Sequence, residues 1–313
     1  MRDVRGRIVA AERRLFERYG VTVTAREVWL DDPPLRVRAL ESGDGEPIVL
    51  VHGSGMLAST WAPVLPHLPG RRVLAVDLPG FGLSDRYDYT GRALRRHAVA
   101  QVGSVLDGLG LSRVDLVGTS LGAMWSLCFA LEHPERAKTV VSLGVPALAL
   151  PGMHGDPWFT LVTRRGIGAL AVRIKMPRRM ARRALTDVLG REAIERTPDE
   201  WFDVAWLGTR VPGWSRAMRS HLLLAMRAGR PRAENFLTED ELRSMNVPLL
   251  FIWGEQDVYG SPEIGERAVE HLPQGRLVRM PGNHAPFLDD PQGCGRLIAD
   301  FTRIAQGDGT GVR

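Results

Sequence analysis

Two spacings of apolar residues alternate along the chain, and their alternation predicts its architecture. Val4, Ile8, Leu15 and Phe16 fall at helical spacing ahead of Gly20, which predicts an amphipathic helix over 4–19. Residues 21–30 and 35–40 read as two strands joined by the turn Asp31-Asp32-Pro33-Pro34, so they form an antiparallel pair. Short apolar runs follow at 47–51, 72–76, 114–117 and 139–143, with helix-length stretches at 93–109 and 123–131. Strands that alternate with helices imply βαβ units and a mostly parallel central sheet flanked by helices, an α/β fold.

The pattern then changes. From about 145 to 245 no stretch reads convincingly as a strand, and helices are expected over 158–174, 178–189, 199–207 and 215–228. This block holds Trp158, Trp201, Trp206 and Trp214, half of the chain's 8 tryptophans, and the arginines cluster between Arg164 and Arg232. Alternation resumes with a strand at 248–253, a helix at 262–271, a strand at 276–280 and a helix at 291–304. The expected organisation is therefore an N-terminal helix (1–20), a core in two pieces (21–144 and 246–306), a helical cap inserted between them (145–245) and a flexible tail (307–313).

Composition adds limits rather than a function. At 313 residues and 44% hydrophobic, the chain is long and apolar enough for a sizeable core. A net charge of +5 is too small an excess to argue for nucleic acid. Two cysteines, Cys128 and Cys294, make neither a disulfide framework nor a metal site, and nothing calls for a cofactor. The N-terminus alternates charges (Arg2, Asp3, Arg5, Arg7) without an apolar core, so no signal peptide is expected. No apolar run reaches the roughly 18 residues of a membrane span. A cytoplasmic protein acting on a small molecule is the expectation, with a homo-oligomer left open.

One stretch carries chemistry on its face. Val114 to Val117 reads as a buried strand, Gly118-Thr119-Ser120-Leu121-Gly122 spells G-x-S-x-G, and a helix follows. Such a turn lifts the serine into an exposed position above a helix N-terminus, whose N–H groups favour a developing anion. A strand-to-helix turn with a capping serine has the same letters. Catalysis therefore demands more of the chain, namely an acid and then a histidine further on, and an oxyanion hole.

At strand ends in the right order stand His52-Gly53, Asp77-Leu78-Pro79-Gly80-Phe81-Gly82, the elbow, Asp257 and His284. Over roughly residues 21–305 the chain resembles an α/β-hydrolase of the kind that carries a lid between its sixth and seventh core strands. The resemblance implies Ser120 as nucleophile, His284 as base and Asp257 as the acid that orients it, with Glu255 the competing carboxylate. It also implies an oxyanion hole made by the backbone N–H groups of Leu121 and Ser54. His52 and His133 match structural histidines of the family, and His67, His97, His221 and His271 read as structural. Asp77 to Ser84 reads as a structural loop. Met56, Trp61, Trp125 and the aromatic and Met residues of the cap are pocket candidates that serve equally as core.

A serine with this support performs acyl transfer, and a carboxylic ester of apolar character is the economical substrate. A C–C hydrolase, a thioesterase or a lyase would share the constellation, as would a cofactor-free haloperoxidase or perhydrolase or a small-molecule receptor with vestigial hydrolysis. His52 to Gly55 resembles the oxyanion loop of C–C hydrolases, whereas Thr119 stands where those enzymes usually carry Asn. Ser120 in the elbow argues against the epoxide hydrolase and dehalogenase branches, which use Asp there.

Overall fold

The protein was analysed as a computed structural model, which describes residues 3–31, 33–155, 157–227 and 229–305. Eight strands form one sheet: β1 (Thr24–Asp31), β2 (Pro34–Ser42), β3 (Glu46–Val51), β4 (Arg71–Val76), β5 (Val114–Thr119), β6 (Ala137–Leu143), β7 (Leu249–Gly254) and β8 (Gly275–Met280). Their order is β1-β2-β4-β3-β5-β6-β7-β8. Only β2 runs antiparallel to its neighbours, β1 and β4. From β4 to β8 every pairing is parallel. The central strand β5 is buried at all six positions, and β7 likewise, because helices cover both faces. Those faces hold the two halves of the core, one around Trp125, Phe129 and Phe251, the other around Trp61, Leu50 and Ile252.

Thirteen α-helices are described: α1 (Val4–Tyr19), α2 (Leu94–Gly108), α3 (Leu121–Glu132), α4 (Pro157–Thr163), α5 (Ile167–Ala171), α6 (Arg178–Leu189), α7 (Arg191–Arg196), α8 (Asp199–Gly208), α9 (Trp214–Ala225), α10 (Glu239–Ser244), α11 (Pro262–Val269), α12 (Pro286–Asp289) and α13 (Pro291–Ala305). The helix α1 packs on the body of the molecule, against α8. A buried ion network fixes it there. Arg38 on β2 donates to both Glu12 carboxylate oxygens, at 2.7 and 2.8 Å, and through Nε to Asp77 at 2.8 Å. Asp77 also accepts from the backbone N–H groups of Ala58 (2.6 Å) and Leu83 (2.8 Å), so the loop after β4 is pinned as a structural element.

Between β6 and β7 the expected run of helices is present as α4 to α10, with three departures. The single helix expected over 158–174 is broken into α4 and α5, because Gly166 takes a left-handed φ of +71°. The helix expected over 215–228 stops at Ala225, and a hairpin of two-residue strands, Met226–Arg227 with Arg230–Pro231, follows in a stretch expected to hold none. The short helices α7 and α10 had no sequence-level expectation; α10 is announced by a capping box between Thr238 and Glu241. At the N-terminal edge, the strand expected from 21 begins at Thr24. Asp32 of the first turn, Ala228 and the tail over 307–313 lie outside the described residues.

Candidate active site

The turn from β5 into α3 is held by close backbone packing. A Cβ on Gly118 would clash with the backbone of Gly122 and Ala123, and one on Gly122 with the Val51 carbonyl at the end of β3. Glycine is required at both positions for that reason. Ser120 between them adopts φ +51° and ψ −119°, a strained conformation for a residue with a side chain. Leu121 is the first residue of α3, where a backbone N–H has no partner one turn back within the helix.

The loop after β3 comes up against this turn. A Cβ on Gly53 would lie 3.2 Å from the Ser120 Cβ. His52 is fully buried, and its Nε2 accepts from the Leu78 N–H at 3.0 Å. That acceptor role leaves Nδ1 as the donor to the Gly53 carbonyl, 2.7 Å away. Burial depresses its pKa, so the neutral ring is favoured. His52 thereby ties the loop of Gly53 and Ser54 to the loop after β4, the structural role read from the sequence. Trp214 Nε1 from α9 donates to the Gly55 carbonyl at 3.1 Å.

Asp257, three residues past β7, and His284, four past β8, meet. His284 Nδ1 lies 2.9 Å from Asp257 Oδ2 and 3.2 Å from Oδ1. Two backbone donors hold the carboxylate in place: Val145 N–H to Oδ2 and Tyr259 N–H to Oδ1, each at 3.0 Å. Asp257 and His284 are both buried. Glu255, the competing carboxylate, has an exposed side chain. The close approach of the two loops depends on Gly254 and Gly144, where a Cβ would clash with the carbonyls of Asn283 and His284. Tyr259 packs edge-on against the His284 ring, centroids 4.5 Å apart. The sequence reading passed over it, although its place two residues after Asp257 was available as a signal.

Ser120 borders two chambers. The larger, about 280 Å³, is also bordered by Ser54 and His284 and by all four tryptophans of the helical segment, Trp158, Trp201, Trp206 and Trp214. Met56 lines it too, whereas Trp61 and Trp125 are fully buried core. Arg178 and Arg182 reach its wall, but each is held by an acid: Arg178 by Asp203 at 2.6 Å, Arg182 by Asp199. The smaller chamber, about 40 Å³, is bordered by Ser54, Ser120, Leu121 and His221. His221 was read as structural from the sequence, and its place beside Ser120 was not foreseen. Among the described residues no group of three or more His, Cys, Asp or Glu could hold a metal.

A family model described as the α/β-hydrolase fold matches residues 46–291. A 2-hydroxy-6-oxononadienedioate/2-hydroxy-6-oxononatrienedioate hydrolase of Burkholderia vietnamiensis is 30% identical over 281 residues, covering 87% of this chain and 93% of that protein. Its counterpart from Paraburkholderia phymatum is 32% identical, over 78% of this chain and 82% of its own. Among solved structures, a carboxylesterase from Bacillus subtilis superposes with a TM-score of 0.75 at 22% identity, over 95% of this chain and 98% of its own. A 2-hydroxy-6-oxo-6-phenylhexa-2,4-dienoate hydrolase from a Rhodococcus strain gives 0.72 at 22% identity, over 90% and 99%.

Proposed function

The chain belongs to the α/β-hydrolase fold family, and from that premise we propose that it is a serine hydrolase cleaving a carboxylic ester through an acyl-enzyme. The Asp257–His284 pair, buried and doubly held at its acid end, is the observation that carries the reading. A serine hydroxyl is a poor nucleophile at neutral pH and needs such a positioned base. The Ser120 Oγ bonds to the ester carbonyl carbon while its proton passes to His284 Nε2. The tetrahedral oxyanion is stabilised by the N–H groups of Leu121 and Ser54. As it collapses, the carbonyl–alkoxy bond breaks and the alcohol leaves with the proton from His284. Water then gives its proton to His284 and its oxygen to the acyl carbon, Ser120 recovers its proton, and the acid departs. Asp257 keeps the imidazole in the right tautomer and stabilises its cationic form.

The helical segment over 145–245 acts in this reading as a cap that sets substrate range, because its four tryptophans border the larger chamber. No helix among the described residues is long and apolar enough to cross a membrane; a cytoplasmic location is part of the proposal.

Cleavage of a C–C bond is the second reading, favoured by the names of the relatives at 30 and 32% identity. Those names specify dicarboxylates, whereas the arginines at the larger chamber's wall are already neutralised by Asp199 and Asp203. That pairing favours an uncharged ester. Purified protein offered aryl esters of graded acyl length beside a vinylogous 1,5-diketone separates the two. Ester turnover well above diketone cleavage supports the proposal, and the reverse order replaces it with C–C hydrolysis.

A further inference from the structure

Eight large apolar side chains stand exposed among the described residues, and four of them fall within one short stretch of the helical segment: Ile167 (58%), Leu170 (68%), Ile174 (63%) and Met180 (58%). The other four are scattered over α1, β1, the loop after β7 and α13. The helical turn of α5 continues past Ala171, because the Arg173 N–H bonds to the Leu170 carbonyl and the Ile174 N–H to that of Ala171. Ile167, Leu170 and Ile174, at i, i+3 and i+7, therefore share one face. Gly168, Ala171 and Val172 turn inward and are buried. A helix apolar on every side is ordinarily covered on every side. This one is covered on the inside only, and none of the four exposed side chains borders either chamber beside Ser120.

The same stretch is strongly basic. From Pro157 to Thr186 the sequence holds eight cations and no carboxylate. Three of the eight are engaged: Arg178 by Asp203, Arg182 by Asp199, and Lys175 by the Thr209 carbonyl and the Trp214 ring. Arg164, Arg165, Arg173, Arg179 and Arg183 are exposed and have no ion-pair partner among the described residues. Exposed aliphatic side chains set among unpaired arginines complement an anionic lipid surface. The aliphatic groups enter the boundary of headgroups and acyl chains, and the guanidinium groups meet the charged headgroups. A second copy of the chain fits poorly, since a two-fold contact would set these charges against their own equivalents.

We propose that this outer face of the helical segment docks on the surface of a bilayer that contains anionic lipid. The inference goes beyond the hydrolytic reading. No helix among the described residues is long and apolar enough to cross the bilayer, so the contact is made at its surface. Helix α6 places Ala181, Leu185 and Val188 on the larger chamber, while its Arg179, Met180 and Arg183 are exposed. Docking thus sets the outer side of the chamber wall against lipid, where apolar esters concentrate.

The test is cosedimentation of the full chain with vesicles of phosphatidylcholine alone and of equimolar phosphatidylcholine and phosphatidylglycerol. Wild-type protein should bind the anionic vesicles at low salt and leave the neutral ones free. Binding should weaken at least about tenfold in about 1 M salt, where the Debye length falls to about 3 Å. Arg164→Ser with Arg173→Ser should weaken it roughly twentyfold, each arginine near an anionic surface counting for roughly fivefold. Ile167→Ser with Leu170→Ser should weaken it about tenfold or more at unchanged charge. Arg113→Ser with Arg276→Ser removes the same charge where β5 and β8 begin, at the end of the sheet away from Ser120, and should bind nearly as wild type does. An equal loss in that control reduces the effect to net charge and overturns the inference. Equal binding to the two kinds of vesicle, or binding that survives the aliphatic changes, overturns it as well. Binding to neither vesicle leaves the face to another protein and overturns it. A dimer in sedimentation equilibrium that Ile167→Ser with Leu170→Ser splits assigns the face to a second copy, with the same consequence. No turnover is read in this experiment, so the hydrolase reading and the docking face fail separately.

Discussion

Gly53 and Ser120 approach so closely that a methyl group on the glycine would lie 3.2 Å from the serine Cβ. The loop that supplies Ser54 is thus braced against the turn that presents the candidate nucleophile. His52 holds it from one side and Trp214 from the other. This contact constrains how the proposed donor at Ser54 sits relative to Ser120.

Gly53→Ala should therefore act on catalysis more than on folding. The added methyl must push the loop of Ser54 and Ser120 apart by a few tenths of an ångström, and small misplacements of reacting groups cost up to about a hundredfold in rate. The expected result is a kcat lower by about ten- to a hundredfold on an aryl ester, with a melting temperature close to wild type. An unchanged kcat would show that the loop does not position the reaction.

Asp257→Asn should leave the fold in place and lower kcat by roughly 10⁴, the scale of the same change in a serine protease triad. An amide can donate to the imidazole nitrogen that should itself donate, which selects the wrong tautomer. Glu255→Gln should cost little, because that side chain faces solvent. Steady-state kinetics of both variants on one chromogenic ester decide between them. A mild Asp257→Asn beside a crippled Glu255→Gln would move the acid to Glu255.

Burial pushes the pKa of His97 down to about 4 and that of His221 to about 3. In the unfolded chain both return to about 6.5. Between those values the unfolded state binds the protons that the folded state refuses. The contribution of each is thus fully present above pH 6.5 and is lost as the pH falls towards 4. Each histidine adds a slope of at most about 1.4 kcal/mol per pH unit in that window. Urea unfolding of wild type and His97→Phe at pH 7.5, 6 and 5 should show a shallower pH dependence in the variant. Parallel curves would contradict the assignment.

Much of the fold was legible because strands buried by helices read as continuous apolar runs, and those runs fell where β3 to β7 form; β8, at the sheet's edge and with one buried position, was legible from its place between two helices. The elbow was legible because two glycines and a serine sit between such a run and a helix. Asp257 and His284 could be chosen through their places after β7 and β8, but their contact could not. It depends on Gly254 and Gly144 admitting neighbouring carbonyls, a fact of three dimensions. The helical segment was read less well. Gly166 breaks a run whose apolar spacing continues, and the hairpin after Ala225 is too short to leave a periodic pattern. His221 reads as structural because a lone histidine is more often structural than catalytic, and nothing in the sequence marks that it borders the chamber beside Ser120. The Glu12–Arg38–Asp77 network was equally silent in the sequence, since its members lie on α1, β2 and the loop after β4.

The account stands on Ser120 as the attacking group. Purified protein treated with a fluorophosphonate and mapped by peptide mass spectrometry should carry one adduct, on Ser120, with ester hydrolysis lost in proportion to labelling. Asp257→Asn should be labelled far more slowly at the same site. An adduct on another residue, or full hydrolytic activity in protein that takes no label, would contradict the account.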